Sequence, residues 1–362
     1  MLDARGFEFL KRLCETPSPS GYEEPAQRVA AERLRELGVP LQADAHGNLI
    51  ARAQEGGRPR LVLTGHVDQI GMVVRHITDE GFLHFEVIGG VNRHAFFGHR
   101  VAVHSRSGAV PGVVGRMLPH YQDPKDHDRA LASYEHWIDI GATSGDQARE
   151  RVRVGDPVTW VAPVERLAEH FIIGAGIDDK VSVFTAIEAL AGLLAGEPRC
   201  PAEVVVVSAV QEEVTGAGAQ VAAYAVDPDV AIAVDVWPMV ADVPGASKER
   251  FGNIRLGAGP VIMRGANCSP VVVDLLCRAA EEESIPYQLC AWPGSTPTDA
   301  SSIFRSRAGV PTGLIGLPQR YLHTPSEVVH VDDIEHSIRL LAAFARRLEP
   351  GQDFSRQAAI LG

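Results

Sequence analysis

Several side chains able to bind divalent cations lie along this chain, each beside a segment with the pattern of a strand or a helix. His66 and Asp68 close the apolar run Leu61-Val62-Leu63-Thr64-Gly65, and Asp178-Asp179 precede a helix-like segment. Glu212-Glu213 follow Val204-Val205-Val206-Val207, Asp235 follows Val230-Ala231-Ile232-Ala233-Val234, and His323 lies in a turn. Histidine and carboxylate donors suit zinc or a similar ion, and a set of this size is the layout of a two-metal hydrolase.

Taken singly, these positions carry different weight. Residues two apart in extended backbone share a side, so Asp68 is placed to accept a hydrogen bond from the His66 imidazole and fix its tautomer. A lone His-x-Asp is more often structural. Capping and the helix dipole explain Asp178-Asp179-Lys180 as well as ligation does. Glu212 and Glu213 are harder to dismiss, because adjacent carboxylates repel unless a cation or proton lies between them. On a strand they point apart, so one can bind metal while the other faces substrate; an exposed loop pair is the alternative. Asp235, after five apolar residues, reads as a buried carboxylate that needs a partner. In α/β sheets functional groups gather where strands end, and the joint occurrence points to a metal site.

Elements that position these residues can be read from periodicity. Phe7, Leu10 and Leu13 share one helix face, Pro17 and Pro19 interrupt it, and Val29, Leu34 and Leu37 resume it before Gly38. His46-Gly47-Asn48 is a hairpin turn, and Leu61 to Leu63 lack polar alternation, as a central strand covered on both faces does. Residues 70–164 are glycine-rich, with short β-branched runs and no convincing amphipathic helix, and read as a small β-rich domain inserted into a catalytic unit of residues 1–69 and 165–362. Within the insert, Pro119 to His136 reads as an exposed loop whose histidines His120, His127 and His136 lack ligand spacing and are expected to be solvated. Beyond Phe171 strands and helices alternate: Phe184, Ile187, Leu190 and Leu194 recur at helical spacing, and Asp332 with Glu335 suggests a capping box for the last long helix.

Composition narrows the function classes. The chain has 362 residues, 45% hydrophobic, with 34 Lys plus Arg against 46 Asp plus Glu, a net charge of −12. Size and apolar content suit roughly two ordered domains, and the acidic balance argues against nucleic acid or an anionic membrane as partner. The five cysteines are odd in number and form no Cys-x-x-Cys pair, which reads as a reduced, cytoplasmic chain. No stretch approaches the roughly 20 apolar residues of a membrane span, and the N-terminus lacks a secretory pattern.

The order of motifs resembles the family 42 metallopeptidases, the tetrahedral and glutamyl aminopeptidases, some of which carry endoglucanase or cellulase labels. The resemblance runs through Ser20-Gly21-Tyr22-Glu23, Gly47-Asn48, Gly65-His66-Val67-Asp68, Ile138-Asp139-Ile140-Gly141-Ala142-Thr143-Ser144, Asp178-Asp179-Lys180, Gln211-Glu212-Glu213-Val214, Val234-Asp235, Thr298-Asp299-Ala300 and Tyr321-Leu322-His323. The insertion between the first and second ligand motifs separates this family from related cocatalytic peptidases. The resemblance implies an α/β zinc-exopeptidase-like three-layer catalytic domain around a central mixed sheet, with the insert a PDZ-like barrel through which relatives assemble into dodecamers or smaller oligomers. It further implies two divalent ions bridged by Asp178, one completed by His66 and Asp235, the other by Glu213 and His323. Zinc is the first choice, with cobalt or manganese as alternatives. Glu212 would be the general base, Asp68 the residue orienting His66, Asp179 and Asp299 supporting residues, and the Asp178-Asp179 bond cis. Three positions depart from the family pattern: Thr215 before Gly216, Pro297 before Thr298, and Thr324 after His323.

The expected reaction is metal-dependent hydrolysis of N-terminal residues from peptides. An aminoacylase or another amidohydrolase on the same ligands is the nearer alternative. A glycosidase fits poorly, since its two carboxylates stand roughly 5 to 9.5 Å apart and need no such ligand set, and four tryptophans offer few stacking platforms. A non-catalytic scaffold would be expected to have lost a ligand or the base, and none is missing. Arg250, Arg255, Arg264, Arg305 and Arg307 are the candidates for a cation in the specificity pocket, though surface arginines are the commoner case.

Overall fold

The computed structural model describes residues 2–121, 130–196 and 200–361. His127 lies outside the described residues. Two helices open the chain, α1 (Ala4–Glu15) and α2 (Glu24–Glu36), the first capped by the Asp3 carboxylate, which accepts from the Gly6 N–H at 2.7 Å. The expected hairpin follows, β1 (Leu41–Ala43) and β2 (Leu49–Ala53), with the Asp44 side chain accepting from the backbone of His46 and Asn48 across the turn.

After β3 (Arg60–His66), the chain leaves to build a closed antiparallel barrel in the order β4-β5-β8-β7-β6-β9. Its strands are β4 (Gly71–Ile77), β5 (Leu83–Ile88), β6 (Arg100–Ser105), β7 (Gly108–Arg116), β8 (His136–Asp139) and β9 (Pro157–Trp160). Met72, Leu83, Phe85, Phe96, Val101 and Ile138 fill it. Two expectations need correction here. His136 is not solvated: only 2% exposed, it opens β8, its ring packs on Phe85 and Phe96, and its Nδ1 donates to the Ala132 carbonyl at 3.0 Å. His120, by contrast, is exposed. The insert also contains a helix, α3 (Gly145–Arg151), capped by Ser144. Seven residues span too few turns for a periodic signal to register.

The rest of the chain completes one mixed sheet, ordered β1-β2-β12-β3-β13-β16-β17-β11-β10, with β14 on β16 and β15 on β14. The added strands are β10 (Glu165–Leu167), β11 (Phe171–Gly174), β12 (Glu203–Ala209), β13 (Val230–Trp237), β14 (Val261–Gly265), β15 (Gln288–Trp292), β16 (Thr312–Arg320) and β17 (Glu327–His330). The helices are α4 (Ile177–Ala195), α5 (Ala217–Val226), α6 (Lys248–Phe251), α7 (Pro270–Glu282), α8 (Asp299–Ile303), α9 (Val331–Arg346) and α10 (Gln357–Leu361).

Strands β12, β3, β13 and β16 are mutually parallel, and their apolar runs face both ways. Leu61, Leu63, Val204 and Val206 join the core under α1, α4 and α9, whereas Val62, Val205 and Val207 join a second core with α5. This is why the sequence shows continuous valines rather than alternation. Helix α4 is buried on nearly every side rather than amphipathic, and Leu194, the last of the four residues at helical spacing, is 41% exposed. The cap of α9 is not Asp332: the helix begins at Val331, and the His330 Nδ1 accepts the Asp332 N–H at 3.1 Å.

Candidate active site

The parallel strands bring the separated motifs to one crevice at their C-terminal ends. Ala209 sits opposite His66 in the β12–β3 register, so the turn that follows β12 emerges beside the histidine. Asp235 lies two residues past the Ala233–Thr64 pair, and α4 begins directly below with Asp178 and Asp179, joined by a cis peptide bond. His323 arrives in the turn between β16 and β17. The twinned glutamates are not on a strand as the sequence suggested. They lie in a turn entered at Gln211, whose φ is +59°, and the Asp68 carboxylate shapes it by accepting the Glu212 N–H at 3.0 Å and the Glu213 N–H at 3.2 Å. Ser20 donates to the same carboxylate at 2.6 Å.

Both imidazoles face one carboxylate. His66 Nε2 is 3.4 Å from one oxygen of Asp178, and His323 Nε2 is 3.3 Å from the other. His66 also has Glu212 at 3.8 Å and Asp235 at 3.9 Å, while His323 has Glu213 at 3.4 Å. The opposite ring nitrogens meet carbonyls: His66 Nδ1 donates to the Asp68 carbonyl at 3.0 Å, with the Asp68 carboxylate farther away at 3.5 Å, and His323 Nδ1 donates to the Gly90 carbonyl at 2.8 Å. A carbonyl only accepts, so the proton of each neutral ring is on Nδ1 and Nε2 presents a lone pair to carboxylate oxygens. Each Nε2 therefore needs either a second ring proton or a metal ion between it and those oxygens.

Ligand-type atoms of His66, Asp179 and Asp235 lie within 4.8 Å of one another, as do those of Asp178, Glu213 and His323. Asp179 differs from Asp178 in that its oxygens are engaged elsewhere: one accepts the His66 backbone N–H at 3.3 Å, the other the Ser182 hydroxyl. A third group, His170, His330 and Asp332, sits apart, and there the His330 Nδ1 is already occupied as the helix cap. Asp299 is 2% exposed, and neither of its carboxylate oxygens has a hydrogen-bond partner.

Residues 47–340 match the family model described as M42 glutamyl aminopeptidase. The chain belongs to the M42 aminopeptidase family. It is 32% identical over 354 residues to the lysyl aminopeptidase of Pyrococcus furiosus, an alignment covering 96% of this chain and 99% of that one. Its structure resembles the TET aminopeptidase of the marine sediment archaeon Thaumarchaeota archaeon SCGC AB-539-E09, with a TM-score of 0.91 at 31% identity over 95% of this chain and 97% of the other. It also resembles the Pyrococcus horikoshii TET1 peptidase, described as assembling into a tetrahedron or a large octahedral shell, at TM-score 0.83 and 30% identity over 95% and 100% of the two chains.

In this M42 chain the site's electrostatics follow from an excess of buried acid. Burial pushes Glu212 up to about 10, with Asp235 and Asp299 adding to the rise and His66 opposing it. Burial likewise raises Asp235 and Glu213, and carries Asp299 to about 7. Burial would lower His323, yet Asp178 and Glu213 hold it up at about 11, and His66 is raised by Asp178 and Asp68 in the same way. For Asp178 burial is outweighed by the two histidines, and its carboxyl falls well below the usual range. The raised carboxyls mark an excess of negative charge that the two histidines offset only in part. Divalent cations would relieve it, so the donor set fits the metals that an M42 metallopeptidase implies.

A cavity of about 510 Å³ opens over these residues, walled by Trp237, Met239 and Trp292 on one side and by Thr296, Ser301 and Arg305 on another. Of the five arginines singled out in the sequence, Arg305 alone lines it. Thr215 and Pro297 are in the wall, whereas Thr324 is not, its hydroxyl donating to the Tyr321 carbonyl at 2.7 Å. Sequence reasoning missed three supporting groups: the Gly90 carbonyl, Lys180 and Glu327. Lys180 is completely buried and donates to the carbonyls of Cys14 and Thr16 at 3.0 and 2.6 Å and to Gln69 Oε1 at 2.5 Å. Its place directly after two buried aspartates was the only signal.

Proposed function

We propose that this chain removes N-terminal residues from peptides by a dinuclear, metal-assisted hydrolysis. In this reading His66 and Asp235 hold one ion, Glu213 and His323 the other, and Asp178 lies between them; the ions are most simply zinc, with cobalt or manganese as alternatives. What carries it is the pair of imidazole Nε2 atoms set 3.4 and 3.3 Å from the two oxygens of Asp178. When bound, such ions lower the pKa of a water toward about 7 and polarise a carbonyl.

The remaining work falls to the chain's own side chains. Glu212 takes a proton from the attacking water as the carbon–oxygen bond forms, and delivers it to the nitrogen that leaves as the peptide bond breaks. Asp68 holds the Glu212 turn by its backbone and, through its carbonyl, the His66 ring. Asp179 and Asp299 support the site from behind. The family description names glutamyl substrates and the P. furiosus relative is a lysyl enzyme, so side-chain preference does not transfer from either. Residues 70–164 are proposed as the unit of self-association and 1–69 with 165–362 as the catalytic unit.

Glu212→Gln tests the reading. It should keep two ions per subunit by elemental analysis and lower turnover of an aminoacyl amide by about 10²–10⁴-fold, the range for a lost general base. Undiminished turnover would assign the base elsewhere.

A further inference from the structure

We propose that Glu327 is a positioning residue, which fixes Asp178 between the two metal positions by gripping its backbone rather than its side chain. Glu327 Oε2 accepts the Asp178 N–H at 3.1 Å, across 149 positions of sequence. That N–H belongs to the first turn of α4, where no helical carbonyl is available to receive it. Asp178 itself has φ −72° and ψ 111°, outside helical values, so its orientation is not dictated by the helix it opens. An external acceptor has to set it.

Glu327 is well built for that task. It is 1% exposed, and as the first residue of β17 it pairs with Gly174, three residues before Ile177 opens α4. Lys180 contributes the nearby positive charge, itself locked by three oxygen acceptors. Three residues separate Glu327 from His323, whose ring faces Asp178 from the solvent side at 3.3 Å. One short segment thus holds Asp178 twice, by its carboxylate from above and by its amide from below. A displaced Glu327 would loosen Asp178 toward both metal positions, and the one that also uses His323 would feel it most.

This inference rests on the two-ion reading above. The test is a titration of Co(II) into chelator-stripped protein, followed by calorimetry and by the visible absorption of the metal, on wild type, Glu327→Met and Glu327→Gln. Glu327→Met keeps the volume and removes the acceptor. It should weaken one of the two ions by tenfold or more and lower kcat with KM little changed, while Glu327→Gln, which still offers an oxygen, should stay within about threefold of wild type. Wild type binding fewer than two ions would overturn the two-ion reading itself. Two ions in wild type and unchanged affinities in Glu327→Met would overturn the role of Glu327 alone. Should Glu327→Met fail to fold, Glu327→Gln decides: near-native affinities support the acceptor role, and a tenfold loss overturns it.

Discussion

A neutral imidazole has one proton to place, and in both His66 and His323 a backbone carbonyl claims it. That contact fixes the orientation of each ring and leaves Nε2 as the atom turned to Asp178. Asp178 is where the two histidines meet. Asp178→Asn keeps the shape and halves the acceptor capacity between them, so metal affinity should fall by more than the roughly 10–100-fold seen when an outer partner is lost. Competition with a chelator of known affinity would measure it, and an unchanged affinity would show that Asp178 is not a ligand. Residue types made the candidate groups legible in the sequence, because carboxylates and histidines at the ends of buried apolar strands are costly unless something binds them. What supports them was not legible. Glu327 meets a backbone amide, Gly90 offers a carbonyl, and Asp68 acts more through backbone N–H groups than through the imidazole, and none of these partners leaves a mark in side-chain identity.

Between β3 and α4 the spacing is set by Gly65. A Cβ there would stand 2.7 Å from the Ser182 Cβ and 2.8 Å from its carbonyl carbon, contacts that backbone cannot relieve cheaply. Gly65→Ala should cost about 1–3 kcal/mol through forced backbone shifts and separate His66 from Asp178; a lower melting temperature together with weaker metal binding is the expected pair of results, and normal values for both would count against it. At α9 the cap is a histidine that must be unprotonated to accept. Burial lowers the His330 pKa, as do His170, His336 and Arg320, against the pull of Asp332. A folded pKa below the unfolded value of about 6.5 means its stabilisation is present above that pH and is lost as pH falls through the folded value. His330→Asn, with a cap that does not titrate, should therefore gain on wild type in thermal stability between pH 8 and 5.5; parallel curves would refute the titrating cap. Strand runs and the hairpin were readable because burial on both faces leaves an unbroken apolar signature. The short α3, the turn of Glu212 and Glu213, and the burial of His136 were not, since each depends on a tertiary neighbour.

For the molecule as a whole, the sequence pattern conveyed the insertion and the α/β alternation, the mixed sheet came with the family resemblance, and the manner in which barrel and sheet meet was invisible to both. The barrel exposes Phe97, Leu118 and Tyr134, 46%, 53% and 71% accessible, on a chain that carries −12 net charge and would otherwise repel its copies. Light scattering at micromolar concentration should return a mass of several subunits, and a monomer would contradict self-association. Among the described residues no helix is long and apolar enough to cross a membrane.

The carbonyl that orients His323 belongs to Gly90, just past the end of β5, and the preceding Gly89 leaves room for Glu213, whose Oε2 would lie 3.1 Å from a Cβ there. The barrel therefore reaches the candidate site through backbone groups, the Gly90 carbonyl on the His323 ring and the Asn92 N–H on the His323 carbonyl. If copies assemble through the barrel, as proposed, bracing or twisting it would shift the aim of the His323 ring, so the specific activity of each subunit need not be a property of the subunit alone. Diluting the assembled protein until it dissociates, and watching turnover per chain, would read that dependence directly.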